Sequence, residues 1–216
     1  MVQANSHFTT TYAYEILNFH IRMAEEIAPG DSVVTEYSYD ANRNLTRTRF
    51  REATNGNQPT NSVTRLFDER DLLFREIRAQ GDPDQSTTQF DYDRNRNLVT
   101  RSHGLEDNPR VTTFVYDGYD RLVTTTDPMG NVMSYNYDAN HNTTRELHQG
   151  ELLDAAGSAG NVRLREVGYF YDAMDRLFQE EEEFFDTATQ RPMGDGKAIP
   201  QNFYIIKQKI TQEIED

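Results

Sequence analysis

The chain repeats one short motif six times: an aromatic residue, an aspartate, three variable residues, generally a polar residue and, in five of the six copies, a leucine. Successive lead aromatics lie 28, 25, 24, 21 and 34 residues apart. Repeats this short cannot bury a core alone, so they must stack on their neighbours. The lead aromatic, aspartate and last residue of the copies are Tyr39, Asp40 and Leu45; Phe67, Asp68 and Leu73; Tyr92, Asp93 and Leu98; Tyr116, Asp117 and Leu122; Tyr137, Asp138 and Thr143; and Tyr171, Asp172 and Leu177.

A second aromatic residue stands two positions before the lead aromatic in five of the six copies, and only Arg65 departs from this rule. Side chains two residues apart point to the same face of a β-strand, and the Val and Thr residues nearby favour strands. The pattern predicts a strand that reaches each lead aromatic. The second aromatics are Tyr37, Phe90, Phe114, Tyr135 and Tyr169.

Turn-forming residues stand at both ends of each repeat unit. After the lead aromatic, Asp can bond nearby backbone N–H groups, and the Asn residues of stretches such as 41–44 tolerate left-handed backbone. Gly and Pro stand between units, as in the turn Asp127-Pro128-Met129-Gly130. Two turns per unit predict an all-β fold: a repetitive antiparallel β-hairpin strip in which each lead aromatic lies beside those of its neighbours.

The same pattern divides the chain into three parts. Residues 31–178 form the repeat array, and residues 1–30 form a degenerate repeat, led by Tyr14 and Glu15, or an N-terminal extension. Residues 179–216 form a C-terminal extension with one further strand, predicted at 203–210. An open strip leaves unpaired strand edges, which predicts self-association or pairing with further repeats.

Composition excludes several classes of function. The 216 residues carry 22 Lys and Arg against 36 Asp and Glu, a net charge of −14, so no nucleic acid partner is expected. Because the chain has no cysteine, thiolate chemistry and a disulfide framework are excluded. No stretch approaches the roughly 20 apolar residues of a membrane span, so no membrane insertion is expected.

No pattern predicts a catalytic, cofactor-binding or metal-binding residue. The spacing Asp40-x-Asn42-x-Asn44 imitates the first half of a calcium-binding EF-hand loop, but Leu45 stands where that loop requires glycine. The five histidines form no i,i+4 or His-x-His pair, and no nucleotide-binding glycine loop or nucleophile motif occurs. Turn formation is the better interpretation of these aspartates.

Two groups of charged residues have ordinary explanations. The four glutamates at 180–183 indicate a solvated strand or loop. Four arginines are predicted to project from one strand: Arg43, Arg47, Arg49 and Arg51. Pairing with Glu or Asp across strands explains these arginines better than an anion site does.

The motif Tyr-Asp-x-x-x-[Asn/Arg]-Leu, together with the turn Asp127-Pro128-Met129-Gly130, resembles the RHS/YD-repeat family over about residues 31–178. That family includes bacterial polymorphic toxins, C-components of Tc toxins, wall-associated proteins and teneurins. The resemblance implies a curved strip of β-sheet, part of a spiral shell, in a secreted or cell-surface protein. Six or seven units are few for a closed shell, so the resemblance implies a fragment or a small member of the family.

In toxins of this family the shell encloses a C-terminal effector, released by a self-cleaving segment near an Asp-Pro-x-Gly sequence. The four letters of Asp127-Pro128-Met129-Gly130 match that sequence. However, further repeat units follow at Tyr137 and Tyr171. Asp127 is therefore predicted to be a turn residue.

The favoured function is a non-catalytic structural module, a shell fragment that encloses or displays a toxin or other effector and needs no cofactor. Its expected partners are the remaining repeats or the effector domain of the same polypeptide. The alternative is a carbohydrate-binding or adhesive β-sheet module, because exposed tyrosine rows suit stacking on sugar rings. An enzyme would need titratable groups clustered in a concave site.

Overall fold

A computed structural model describes residues 8–151, 157–193 and 199–201. Among these residues, antiparallel strands dominate, and one helix of four residues interrupts them. The predicted all-β class and the antiparallel hairpin strip are thereby confirmed. The chain divides into two compact parts, an N-terminal part, Met1–Arg110, and a C-terminal part, Val111–Asp216.

In the N-terminal part, each described strand pairs antiparallel with the next one along the chain. The elements are β1 (Thr10–Tyr14), β2 (His20–Ala28), β3 (Asp31–Tyr39), β4 (Leu45–Arg49), α1 (Arg51–Thr54), β5 (Ser62–Phe67), β6 (Leu73–Arg78), β7 (Ser86–Tyr92) and β8 (Leu98–His103). β1 ends this sheet, and among the described residues it is paired on one side, with β2.

The C-terminal part has the same sequential antiparallel pairing. Its strands are β9 (Arg110–Tyr116), β10 (Leu122–Thr126), β11 (Val132–Tyr137), β12 (Thr143–Gly150), β13 (Val162–Tyr171), β14 (Leu177–Phe184) and β15 (Ile199–Gln201). β14 crosses the predicted end of the array at residue 178. The strand predicted at 203–210 lies outside the described residues.

The hairpin of each repeat unit places its lead aromatic directly opposite the last residue of the motif. These pairs are Tyr39 with Leu45, Phe67 with Leu73, Tyr92 with Leu98, Tyr116 with Leu122, Tyr137 with Thr143 and Tyr171 with Leu177. The register then shifts at once: Ser38 pairs with Arg47, which leaves Thr46 as an extra residue. Such a bulge, repeated in every hairpin, increases the local twist of the strands.

Few side chains are fully buried, because the strands of each part pair side by side in one sheet. The buried apolar residues are Ala24, Ala53, Val63, Ile77, Leu147, Val167 and Phe185. Val167 is 0% exposed, whereas the lead aromatics are half-buried. Stability must therefore come largely from the strand ladder and from contacts between neighbouring units.

The arginines predicted to share one strand are divided among three elements. Arg49 lies in β4, Arg43 lies in the turn before it, and Arg51 begins α1, which redirects the chain into β5. The predicted ion pair across strands forms at Arg49, whereas Arg51 forms its ion pair from α1. Arg49 Nη1 lies 2.8 Å from Glu36, and Arg51 Nη2 lies 2.9 Å from Asp31.

Candidate functional site

Each repeat turn is organised by the carboxylate of its aspartate, as the turn at Asp138 shows. Oδ1 of Asp138 accepts hydrogen bonds from the backbone N–H groups of Asn140 and Asn142, at 2.9 and 2.8 Å. Oδ2 accepts a hydrogen bond from Nδ2 of Asn142 at 3.1 Å. The Asp138 N–H donates to the Asn142 carbonyl at 3.0 Å. One side chain therefore satisfies three donors that the turn would otherwise leave to water.

The same arrangement recurs in all six units of the motif. The carboxylate accepts hydrogen bonds from the N–H groups of the second and fourth residues after it. It also accepts one from the side chain of the fourth residue, Asn or Arg, except at Asp68, where Arg70 donates instead. The other aspartates are Asp40, Asp93, Asp117, Asp138 and Asp172. This geometry explains why the motif generally carries a polar residue before its leucine.

The left-handed residue of each turn is the third one after the aspartate. Positive φ angles occur at Arg43 (77°), Asp71 (60°), Arg96 (73°), Asp120 (59°), His141 (70°) and Asp175 (58°). The prediction that asparagines take this conformation is wrong for these turns. The carboxylate holds the residues on either side by their N–H groups, so the strained position falls on the residue between them.

Asp127 lies in the same kind of turn, although it stands between units. Its Oδ1 accepts hydrogen bonds from the N–H groups of Met129 and Asn131, at 2.8 and 2.9 Å. Gly130 takes the left-handed position, with φ 94°. Gly157, which lies between β12 and β13, contacts this turn: its N–H donates to the Met129 carbonyl at 3.0 Å. Asp127 is thus a turn residue, as predicted.

The backbone at Glu15 forms a turn like those of the motif without an aspartate. The Glu15 N–H donates to the Phe19 carbonyl at 3.0 Å, and the Asn18 N–H donates to the Glu15 carbonyl at 2.9 Å. Asn18 has a φ of 63°, the counterpart of the left-handed residue in the other turns. This geometry supports the interpretation of residues 1–30 as a degenerate repeat, which stays a proposal.

Hydrogen bonding lowers the pKa of every turn aspartate. At Asp117, the largest cause is the hydrogen bond from the Arg121 guanidinium. At Asp138, desolvation is the largest single influence and raises the pKa, but the hydrogen bonds from Asn142 and Asn140 together outweigh it. The turns are therefore built around ionised carboxylates.

Acid is expected to destabilise the array. A carboxylate with a lower pKa in the folded state stabilises that state at neutral pH, and this contribution is lost as pH falls below the unfolded value of about 4 towards the folded value. The hydrogen bond from Thr87 is the largest cause that lowers the pKa of Glu106 to about 2, which extends the loss to low pH. The urea midpoint, measured by circular dichroism, should stay nearly constant from about pH 7 to about pH 5.5 and fall below about pH 4.

Salt provides the control for this titration. High salt screens the repulsion within a chain of net charge −14, so a series at high salt isolates the contribution of the turns. A urea midpoint at high salt that is the same on both sides of pH 4 would contradict the role given to the carboxylates.

The lead tyrosines connect each repeat unit to the unit before it. In four units the tyrosine hydroxyl donates a hydrogen bond to a backbone carbonyl of the preceding unit. The bonds run from Tyr39 to His20, from Tyr92 to Leu73, from Tyr137 to Leu122 and from Tyr171 to Thr143, at 2.9, 2.9, 2.7 and 2.9 Å. The acceptor stands six residues after the preceding lead aromatic in every case.

Tyr92→Phe is expected to lower the free energy of unfolding by about 1 kcal/mol, because the hydroxyl bond to the Leu73 carbonyl is lost while the ring remains. The natural Phe67 shows that the position tolerates phenylalanine. Tyr119→Phe is the matched control, since that side chain is 73% exposed, and it should change little. Urea denaturation followed by circular dichroism measures both, and equal effects would argue against the inter-unit bond.

Side chains also connect successive turns along one edge of the strip. In two of these connections, two asparagine side-chain amides donate to one aspartate oxygen of the next unit. The amides of Asn42 and Asn44 lie 2.9 and 2.8 Å from Oδ1 of Asp71, and those of Asn140 and Asn142 lie 2.8 and 2.9 Å from Oδ1 of Asp175. The turn edge is thus a ladder of side-chain contacts beside the backbone ladder.

Four tyrosines line an open concavity of about 440 Å³ in the C-terminal part. Tyr135 and Tyr137 lie on β11, and Tyr169 and Tyr171 lie on β13. Glu146 of β12 lies between them, and the Tyr169 hydroxyl donates to its Oε2 at 3.4 Å. The sequence pattern did not single out Glu146. Tyr-x-Tyr in successive units is a signal for this place, but the glutamate depends on the strand register.

The described residues include no group of three or more His, Asp and Glu side chains that could hold a metal ion. The carboxylates that imitate an EF-hand loop, such as Asp40, bond to their own turn instead. In the part of the chain that the structure describes, no helix is both long and apolar enough to cross a membrane.

The family model for the RHS repeat matches residues 116–151. This segment contains the units led by Tyr116 and Tyr137, and the resemblance predicted from the motif is confirmed. No curated protein matches the chain in sequence.

Among solved structures, a Photorhabdus luminescens Tc holotoxin pore with a mutation in TccC3 matches 85% of this chain with a TM-score of 0.61 and 12% identity. The protein spans only 9% of that chain, and at this identity the similarity shows the fold alone. A crystal structure of TcdB2-TccC3-Cdc42 matches 88% of this chain and 14% of its own, at 13% identity. Its TM-score of 0.36 is too low to support an argument.

Proposed function

We propose that this chain, which carries RHS repeats, is a non-catalytic structural module that forms part of a shell around an effector or displays one. The observation that supports it most is the inter-unit bonding: lead tyrosines and turn side chains fasten each unit to the previous one. A strip built this way extends from unit to unit without a separate core. The fold shared with a Tc holotoxin structure is consistent with a toxin component, and a secreted location belongs to this proposal.

The partners in this proposal are further repeats and an effector domain of the same polypeptide. β1 offers an edge that, among the described residues, is paired on one side, and its sequence Thr-Thr-Tyr-Ala-Tyr carries no charge. Such an edge accepts another strand readily. Strand addition there would continue the strip, or would join two copies of the chain.

The alternative, a carbohydrate-binding or adhesive module, has less support. It requires tyrosine rows that are open to a ligand. The lead tyrosines are half-buried, and four of their hydroxyls are engaged in bonds between units. The lead tyrosines therefore act mainly in the contacts between repeat units.

Protease protection tests the proposal. The full protein that contains this chain is digested with a non-specific protease, and the survival of the polypeptide that accompanies the repeats is followed by mass spectrometry. The control is the same accompanying segment expressed without the repeats. A shell should slow digestion of that segment by at least about tenfold, and digestion at the rate of the isolated segment would show that the repeats do not enclose it. Display without enclosure would leave the segment accessible yet covalently attached and folded.

A further inference from the structure

The tyrosine-lined concavity in the C-terminal part has an unusual electrostatic setting. Alternation along β14 places Glu180 and Glu182 opposite Tyr169 and Val167, on the face that carries the tyrosines. Glu181 falls on the other face of the same strand, because successive side chains of a strand point to opposite sides. The glutamate run therefore alternates between the two faces of the sheet, and Glu180 lies opposite Tyr169, which lines the concavity.

The charges that face the concavity do not balance. Glu146 lines it, and two further carboxylates, Glu180 and Glu182, lie on the same face of the sheet opposite Tyr169 and Val167. Against them stands Arg165, which donates a hydrogen bond to Glu182 and lies 3.8 Å from Glu146. His148 contacts Glu146 and carries a charge only when protonated.

Beside the concavity, the charge of one further cation, Arg121, is neutralised by an ion pair with an aspartate. Arg121 lies 2.6 Å from Asp117. Asp138 adds a further negative charge near Tyr171. Burial first, and then the negative charges of nearby glutamates, raise the pKa of Tyr169 to about 12, as expected in a negative field.

One tyrosine of this face already holds a cation. The guanidinium carbon of Arg121 lies 4.6 Å from the centre of the Tyr137 ring. Cations lie over aromatic rings because the ring face is electron-rich, and this attraction grows where water is excluded. The concavity brings three more tyrosines and a carboxylate together in a volume typical of small-ligand sites.

We propose that this concavity binds an organic cation of the methylated ammonium class, held by the tyrosines on β11 and β13 and by the carboxylates on β12 and β14. The inference does not depend on the shell function, because it uses only the local geometry. A neutral sugar would gain nothing from the excess negative charge. A metal ion would lack the clustered ligands it needs among the described residues.

The test uses choline chloride and its neutral isostere, 3,3-dimethylbutan-1-ol, titrated into the whole chain and followed by NMR of the tyrosine ring signals. Choline is expected to bind at least about tenfold more tightly than the isostere, since only the charge differs. Equal affinities would overturn the proposal and indicate a plain apolar pocket. Binding of methyl glucoside at least as tight as that of choline would also overturn it, in favour of the carbohydrate alternative.

Two matched pairs of variants test whether choline binds in this concavity. Glu180→Gln should weaken choline binding several-fold, whereas Glu181→Gln makes the same change of net charge on the opposite face and should leave binding unchanged. Tyr169→Leu should abolish binding, whereas Tyr119→Leu, at an exposed tyrosine, should not. Circular dichroism confirms that each variant is folded. If Glu180→Gln and Glu181→Gln weaken binding equally, only the net charge acts, and the assignment of the site fails.

Discussion

Val167→Asp is expected to destabilise the C-terminal part by about 4 kcal/mol or more, because it buries a charge without a partner. Val167 is 0% exposed and has the largest fully buried side chain among the described residues. Its neighbours across the strands are Glu146 and Glu182, so the new carboxylate would lie between two others. Like charges directly opposite each other in a sheet add to the cost.

The matched control is Val115→Asp, which makes the same substitution on β9 at a side chain that is 52% exposed. It should change the free energy of unfolding by less than about 0.5 kcal/mol. Val167→Ala, which removes the contacts without adding charge, should cost about 2 kcal/mol. Because the chain has no Trp, urea denaturation followed by circular dichroism or tyrosine fluorescence is the suitable measurement. Similar urea midpoints for the two aspartate variants would show that burial of Val167 contributes little to the stability of the C-terminal part.

Gly130→Ala should lower the free energy of unfolding by about 3 kcal/mol, from two causes that add. Gly130 has a φ of 94°, a conformation that disfavours any residue with a Cβ. A Cβ at this position would also lie 2.4 Å from the carbonyl carbon and 2.7 Å from the Cα of Gly157. Both atoms belong to the backbone, so Gly157 would have to move away from the Asp127 turn.

Gly56→Ala separates the two causes. Gly56 has a similar φ of 85°, but a Cβ there would meet nothing within 4 Å. It should cost only the conformational term, about 1 kcal/mol. If the two variants unfold at the same urea concentration, Gly157 does not lie as close to the turn as described.

The repeat motif was sufficient to predict the strand-turn-strand unit, since the aromatic-x-aromatic spacing and the Asp-led turn are local patterns. The motif was insufficient to predict the features that depend on how the strands pair with one another. The bulge at Thr46 depends on how the residues of two strands are paired, and the sequence of one strand does not contain this information. The carbonyl that receives the Tyr92 hydroxyl belongs to another unit, although the preference for Tyr over Phe at the lead position is a sign that the hydroxyl has a role.

Charged residues were the least predictable from sequence. The glutamates at 180–183 were predicted to form a solvated strand or loop. They do lie in a strand, β14, but they are half-buried and divided between two faces. Arg51 continues an arginine pattern along the sequence but begins α1, because the chain must turn between β4 and β5. In both cases the tertiary structure, and not the local sequence pattern, determined where the charged side chains lie.

The hydroxyl bonds of the lead tyrosines give the array a direction. In each described case the donor belongs to the later unit and the acceptor to the earlier one, as for Tyr137 and Leu122. A ribosome makes the acceptor first, so each new unit emerges beside an anchor that is already built. The order of bonding along the chain therefore matches the order of synthesis, because each of these tyrosines reaches a carbonyl that the ribosome has already made.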